Sequence, residues 1–420
     1  MKIKIGHIDK IEGHLGFEAS LYRGDVKSAF TDVLEGARLI EGIIRTRTYE
    51  DVPIITSRIC GVCPVVHNLA SIKAIEDAMG VRVNERVELF RKLMLMGEMV
   101  QSHILHIFFL SAPDFLGNTN DLELIKLYPK EAGLAFAVRD FSVKIMSAVG
   151  GRSVHPIASE VGGFKILPEK QVLRDLLSSC DDVIESALTV HNFIVKNIKL
   201  PDLNTEIKPM SFYKKNEYSF YDGRVISGKE FNTDIHSFYH SIEELQKPKS
   251  VVKQTEIGGK RYLVGALARL LNQNDNLHKE AKKLFLKMPQ DKLPVNPFYN
   301  LFAQSIEVIH SLEESKILIQ KLLEMDYPKT LQQKIKIKPS IGIGSVEAPR
   351  GILLHYYKID KDGKIIDSNI MTPTAQFLNH LDYSLKIFLP QVINMGQKDR
   401  DLQIKSLVRS YDPCISCATH

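Results

Sequence analysis

The chain of 420 residues is long enough for one large domain or two and for a sizeable buried core. Hydrophobic residues make up 44% and charged residues 25%, with no low-complexity stretch, which excludes a largely disordered chain. The formal charge of +5 is small beside 55 basic and 50 acidic side chains, and the lysines are scattered, so nucleic-acid binding is not expected.

The opening MKIKIGHIDKIEGH alternates polar and apolar residues and lacks the apolar stretch of a secretory signal. No apolar run reaches the roughly 18 to 20 residues of a membrane span, so the expectation is a cytoplasmic chain without one. Arg23-Gly24-Asp25 marks a turn between two alternating stretches and predicts an N-terminal hairpin with Glu12 and His14 on or beside it. A short helix is expected from Gly36 to about Ile44. Pro64 to Met79 reads as a helix with Pro in its first turn and Gly80 as its stop. Apolar residues at three- and four-residue spacing predict a long buried helix from Val87 to Leu110, and further helices over 129–149 and 168–198. Between these two lies GGRSVHPIASEVGGFKILP, too irregular for either period and of the kind that often carries function. Residues 205–262 predict a small sheet, and helices resume over 263–326. A strand-rich stretch covers 333–371, with a hairpin turn at Lys361-Asp362-Gly363. A last helix near 375–389 is expected to precede the tail.

Four of the five cysteines form two Cys-x-x-Cys pairs, RICGVC at 58–63 and DPCISC at 412–417, and Cys180 is expected to be a small buried apolar residue. Cys60 and Cys63 fall in the loop feeding a helix N-terminus, where free N–H groups and the helix dipole favour thiolate. Each pair alone fits a redox disulfide, half a zinc site or half an iron–sulfur site. Together they offer four soft donors suited to zinc, iron or nickel. A zinc Cys₄ tie between the chain ends is the plain reading. The flanking Arg58, His67, Asp412 and His420 favour a centre that moves protons.

RICGVCPVVH and DPCISCATH resemble the two signature motifs of the large subunits of nickel-iron hydrogenases. IEGH at 11–14 and EAPRGIL at 347–353 are similar to two further blocks of that family in the same order, so the resemblance runs from the N-terminal hairpin to the last residue. GGRSVHP, VGGFKILPEK and MTPTAQ look most like the cytoplasmic heteromultimeric branch, with its NAD(P)-linked enzymes and archaeal sulfhydrogenases. The resemblance implies an α-rich α+β fold with a central helical bundle and peripheral small sheets, as a single domain over 1–420. Its parts would be the hairpin and first Cys pair (1–80), a helical core (81–200), a strand-rich excursion (205–262), helices (263–326), a second strand-rich part (333–371), and the C-terminal helix and Cys pair (373–420).

Carried over by position, the resemblance makes Cys60 and Cys414 terminal nickel ligands and Cys63 and Cys417 bridges from nickel to iron. It also implies carbon monoxide and two cyanides on the iron, installed by maturation proteins, with Arg350 and Thr374 hydrogen-bonding the cyanides. Glu12 would relay protons. Glu41, His420 and the carbonyl of about Ile370 would hold magnesium. His67, His103, His106 and Asp412 are candidates for the surroundings of the sulfurs. Two positions depart from many relatives, Ser102 where some carry aspartate and Phe377 in place of a common asparagine. The implied reaction is reversible H₂ oxidation, with electrons passing to an iron–sulfur small subunit and onward through diaphorase-like subunits. The rival expectations are a metal-free quinone-binding relative and a zinc-stapled structural protein.

Overall fold

The computed structural model describes residues 2–117, 121–247 and 250–420, with backbone alone at 121 and 122. The N-terminal alternation folds as three strands, one more than the expected hairpin. They are β1 (Lys2–Ile8), β2 (Leu15–Tyr22) and β3 (Asp25–Val33), antiparallel in that order. Ile3 and Ile5, then Leu15, Phe17, Ala19 and Leu21, are buried at the strand period of two. Arg23 and Gly24, at φ 51 and 89, supply the two left-handed residues that a tight hairpin requires.

Helix α1 (Pro64–Met79) occupies the range read from its end signals: Pro64 lacks only an N–H that would be unpaired there, and Gly80, at φ 69, closes the last turn. Helix α2 (Glu85–Ile104) starts at Asn84, whose side chain accepts the Val87 N–H at 3.1 Å. It runs on as a π-helix over Leu105–Ser111 and a last turn at Ala112–Phe115. The whole run Glu85–Phe115 is long and apolar enough to cross a membrane, which corrects the expectation that no segment is. In its most apolar window 89% of residues are buried inside the protein, the state of a core helix.

Helices α3 (Pro129–Gly150), α4 (Lys170–Asn197) and α5 (Asn300–Glu324) complete a bundle in which α2 packs on α3, α3 on α4, α4 on α5, and α5 back on α2. On α4 the buried residues Leu173, Leu176, Cys180, Val183, Ala187, Val190 and Ile194 recur at helical spacing, while the opposite face stays polar. The segment between α3 and α4 contains a minimal two-strand pairing, Ser159–Glu160 with Gly163–Phe164. Residues 205–262 hold a three-stranded sheet (Ser211–Tyr213, Arg224–Ser227, Phe231–Thr233) and a separate pair, Ile242–Gln246 with Lys253–Ile257. Two short helices, Ala266–Gln273 and Lys279–Phe285, lead to α5.

The sheet β4 (Ser340–Ala348), β5 (Gly351–Ile359) and β6 (Ile365–Met371) is antiparallel in chain order. Strand β4 lies directly on α1. A Cβ added at Gly342 would meet the Ala74 carbonyl oxygen at 2.1 Å, and one at Gly344 the Ala70 carbonyl oxygen at 2.2 Å. Glycine at every second strand position thus faces alanine at every fourth helix position, and the two backbones touch.

Helix α6 (Pro373–Val392) covers β3, where its Asp382 accepts the Thr31 N–H at 2.7 Å. The tail beyond it is corrected: it contains a further helix, α7 (Gln397–Ser410), before the second Cys pair. Only Ile404, Leu407, Val408 and a few small or paired polar residues of QKDRDLQIKSLVRS are buried, so the helix is held by its position in the fold more than by its composition. The helix expected from Gly36 shrinks to Ile40–Ile44, because Leu39 sits at φ 55, outside the helical region.

Candidate metal centre

Each cysteine reaches the centre from a different local device. Cys60 follows a 3₁₀ turn over Ser57–Ile59 in extended backbone, and Cys63 precedes Pro64 at the N-cap of α1. At the other end of the chain, Asp412 takes φ 54 and turns the backbone out of α7. Cys414 then runs parallel to Glu12, with the Ile415 N–H donating to the Glu12 carbonyl at 2.9 Å, and Cys417 follows in the short turn Ile415–Ala418. Arg38 ties the two loops together by donating to the carbonyls of Ile59, at 2.6 Å, and Ser416.

The four sulfurs lie within 4.8 Å of one another, all buried and none in a disulfide. Cys60 and Cys414 are 3.5 Å apart, Cys63 and Cys417 3.3 Å, and Cys414 and Cys417 2.8 Å. Hydrogen bonds from Cys414 and the other thiols draw the Cys60 thiol well below its ordinary range. Burial and then the neighbouring thiols push Cys414 well up, while burial raises Cys417 to about 11 against hydrogen bonds from Cys414 and Cys63. Protein groups alone thus support one thiolate readily and oppose four. A cation among the sulfurs reverses that balance, and the soft donor set fits nickel and iron.

The surroundings assemble most of the expected residues. Glu12 Oε2 lies 3.0 Å from Cys414 Sγ and accepts the Ser416 N–H at 3.0 Å, while the Ser416 hydroxyl donates to Oε1. Arg350 sits in the two-residue connection between β4 and β5. Its Nε donates to the Asp412 carbonyl at 2.6 Å and Nη2 to Asp412 Oδ1 at 2.7 Å, with Ser102 Oγ at 3.4 Å from Nη1. Burial opposes its charge, but Asp412 and the sulfurs outweigh burial and hold the guanidinium firmly cationic. Thr374 Oγ1 accepts the Cys414 N–H at 3.0 Å. Arg350 and Thr374, with Pro349, Leu353 and Pro373, line a small cavity against Cys63, Cys414 and Cys417.

His67 Nε2 is 3.5 Å from Cys417 Sγ, and its Nδ1 is 3.2 Å from His355 Nε2. Burial holds His67 neutral, at about 3. Glu41 Oε1 accepts the Ile370 N–H at 2.7 Å, and His420 Nε2 is 2.6 Å from the Ile370 carbonyl and 3.7 Å from Glu41, so these three meet as expected. His106 joins Gln304 at 2.5 Å, and Gln304 donates to Asp412 Oδ2 at 3.1 Å. His103 faces Glu307 instead, at 2.8 Å, and not the sulfurs. Cys180 is buried on α4, its thiol pushed up to about 12 by burial, as an inert apolar residue should be.

Two contributors escape sequence reading. Glu98 of α2 accepts the N–H groups of Val65 and Val66, at 2.6 and 3.0 Å, and so caps the helix that carries Cys63. Burial raises its carboxyl to about 8 against those two hydrogen bonds. Its one signal is a lone acid in the apolar run LMLMGEMV. Gln304 gives no signal in sequence.

A family model described as nickel-dependent hydrogenase matches residues 38–133 and 202–420. The chain is 29% identical to the sulfhydrogenase 1 subunit alpha of Pyrococcus furiosus, over 100% of this chain and 98% of that one. It is 30% identical to the sulfhydrogenase 2 subunit alpha of the same organism, over 100% and 99%. Among solved structures, an NAD+-reducing NiFe hydrogenase in the H₂-reduced state matches with a TM-score of 0.89 at 26% identity, covering 100% of this chain and 99% of that chain. A NiFeSe hydrogenase of Dm. baculatum shares the fold, with a TM-score of 0.77 at 24% identity and 100% of both chains covered. With the motif match, the fold and the sulfur constellation in agreement, the chain belongs to the nickel-dependent hydrogenases, as a catalytic large subunit.

Proposed function

We propose that this subunit carries out H₂ ⇌ 2H⁺ + 2e⁻ at a nickel–iron pair held by Cys60, Cys63, Cys414 and Cys417. The observation that carries the reading is the four free sulfurs within 4.8 Å, with a carboxylate at 3.0 Å from one of them and a buried guanidinium above. A nickel–iron pair, when bound, supplies the polarising centre for heterolytic cleavage of H₂. Cys60 and Cys414 would be the terminal ligands of nickel, and Cys63 and Cys417 the bridges.

The protein's part is to move the proton. Cys414 Sγ takes it and Glu12 Oε2 receives it across a single hydrogen bond, the reach that general acid–base transfer needs. Ser416 holds that carboxylate in line through its N–H and hydroxyl. Arg350, kept cationic by Asp412, presents positive charge to the cavity beside Cys63, Cys414 and Cys417. Thr374 accepts from Cys414 and so has its own O–H to donate into the cavity, where with Arg350 it would bind the cyanides that accompany carbon monoxide on iron. His67 would donate to the Cys417 thiolate. Glu41, His420 and the Ile370 carbonyl would hold magnesium with waters.

Cys180 is the one remaining cysteine, so the electrons need clusters on another chain, an iron–sulfur small subunit. The NAD+-reducing neighbour supports further diaphorase-like subunits and a cytoplasmic setting. Maturation proteins would install the diatomic ligands. Elemental analysis of the native complex, with an infrared spectrum of metal-bound carbon monoxide and cyanide, tests the reading. Nickel, iron and those bands support it. Zinc alone in matured material replaces it with a Cys₄ tie.

A further inference from the structure

We infer that Arg269 is the positioning residue for Arg350, fixing through the β4–β5 connection where the Arg350 guanidinium hangs over the sulfurs. Arg269 lies on the helix Ala266–Gln273 and is wholly buried. All five of its N–H groups are donated. Nε and Nη2 go to the two oxygens of Glu307, each at 2.7 Å, and Nη1 goes to Glu347 Oε2 at 2.9 Å. The other two go to the carbonyls of Ala348 and Pro349, both at 2.9 Å, the two residues immediately before Arg350. The Pro349 carbonyl shares a planar peptide with the Arg350 nitrogen, so gripping that oxygen sets the plane from which the Arg350 side chain departs. On the other side, a Cβ at Gly265 would stand 3.1 Å from the Arg350 carbonyl oxygen, so the connection is enclosed there too.

The grip is itself braced. Glu307 also accepts from Tyr218 at 2.7 Å and meets His103 at 2.8 Å, and Glu347 accepts the Phe212 N–H at 2.7 Å. Buried charged clusters of this kind add little net stability over apolar packing of the same volume, whereas a planar five-donor fork fixes geometry. A lysine keeps the charge and loses the fork.

The inference rests on the role given to Arg350 above, and the experiment separates the two. Arg269→Lys, Arg350→Lys and the double variant are purified as metal-loaded complexes, H₂ turnover is normalised to nickel content, and the crystal structure of Arg269→Lys is solved. Arg269→Lys is expected to lower kcat on the order of 10- to 100-fold at unchanged nickel content. The Arg350–Asp412 contacts should open beyond hydrogen-bond range in its crystals. The double variant should turn over no more slowly than Arg350→Lys alone, because both changes act through one group. Arg91→Lys breaks another buried pair, with Glu76, near the far end of α1 from Cys63, and should lose stability while keeping kcat. Multiplied losses in the double variant, or an Arg350 unmoved in the Arg269→Lys crystals, would overturn the inference. A native complex without H₂ turnover would sink the functional reading, while the crystals still decide whether Arg269 places Arg350. If Arg269→Lys does not fold, Glu307→Gln is put through the same measurements and judged by the same outcomes.

Discussion

Glu12 and Cys414 come from opposite ends of the chain and stand 3.0 Å apart, so this contact concentrates the chemistry in one hydrogen bond. Glu12→Gln keeps the side chain's size and removes its ability to carry a proton. Turnover should fall by about 10²- to 10⁴-fold, with nickel content and the infrared bands retained. H₂/D₂ exchange checks it, and near-native exchange would mean that the proton leaves by another residue. Glu307 tests charge at the same scale. Burial works to raise its carboxyl, but Arg269 outweighs burial and holds it down at about 2. A carboxyl lower in the folded than in the unfolded chain, where it titrates near ~4.3, stabilises at neutral pH and loses that contribution as pH falls from there toward 2. Glu307→Gln should therefore be less stable than the native chain at pH 7, and the gap should narrow across that acid window. A gap of constant size in denaturant titrations would contradict the assignment. The cysteines, Glu12 and Arg350 were legible because their motifs are local runs of sequence. Glu98, Gln304 and Arg269 were not, since each reaches the site from a helix whose nearest functional partner is far along the chain.

At the scale of elements, the close backbone contact of β4 with α1 holds the helix that carries Cys63. Gly344→Ala would place a Cβ 2.2 Å from both the Ala70 carbonyl oxygen and the Ala74 nitrogen, neither of which can swing aside. A loss of at least about 2 kcal/mol is expected from such overpacking, read as a lowered midpoint of thermal unfolding. An unchanged midpoint would show that strand and helix separate freely. Elements whose ends are marked by residue type were read closely: Pro64 and Gly80 bound α1, and Lys361-Asp362-Gly363 turns β5 into β6. Helix α7 was missed because the periodicity of QIKSLVRS is weak when the apolar stripe is as thin as Ile404, Leu407 and Val408. The π run after α2 was likewise hidden, since an apolar sequence looks the same in either helical form.

For the whole molecule, the sulfurs join segments 354 positions apart, so bound metal closes the chain into a loop. Binding that exists only in the folded state stabilises that state. The metal-free protein should unfold at lower temperature than the loaded one, and its amides over 412–420 should exchange hydrogen faster. Equal exchange in the two forms would show that Arg38, Glu12 and His420 hold the tail without metal. The π segment at Leu105–Ser111 bears on the same closure. It accommodates a residue more than an α-helix would over that stretch, and the surplus sets the phase of everything after it. Asp114, just beyond, pairs with Arg409 near the end of α7, one short step before the Asp412 turn and Cys414. Holding the same residues in α geometry, at one residue per ~100°, would carry Asp114 round by about 100°, away from Arg409, whereas removing one residue within 105–111 would let the helix regularise with Asp114 still in phase. A substitution that straightens this apolar run into a plain α-helix would thus be felt by the last ten residues of the chain, and a one-residue deletion there would not.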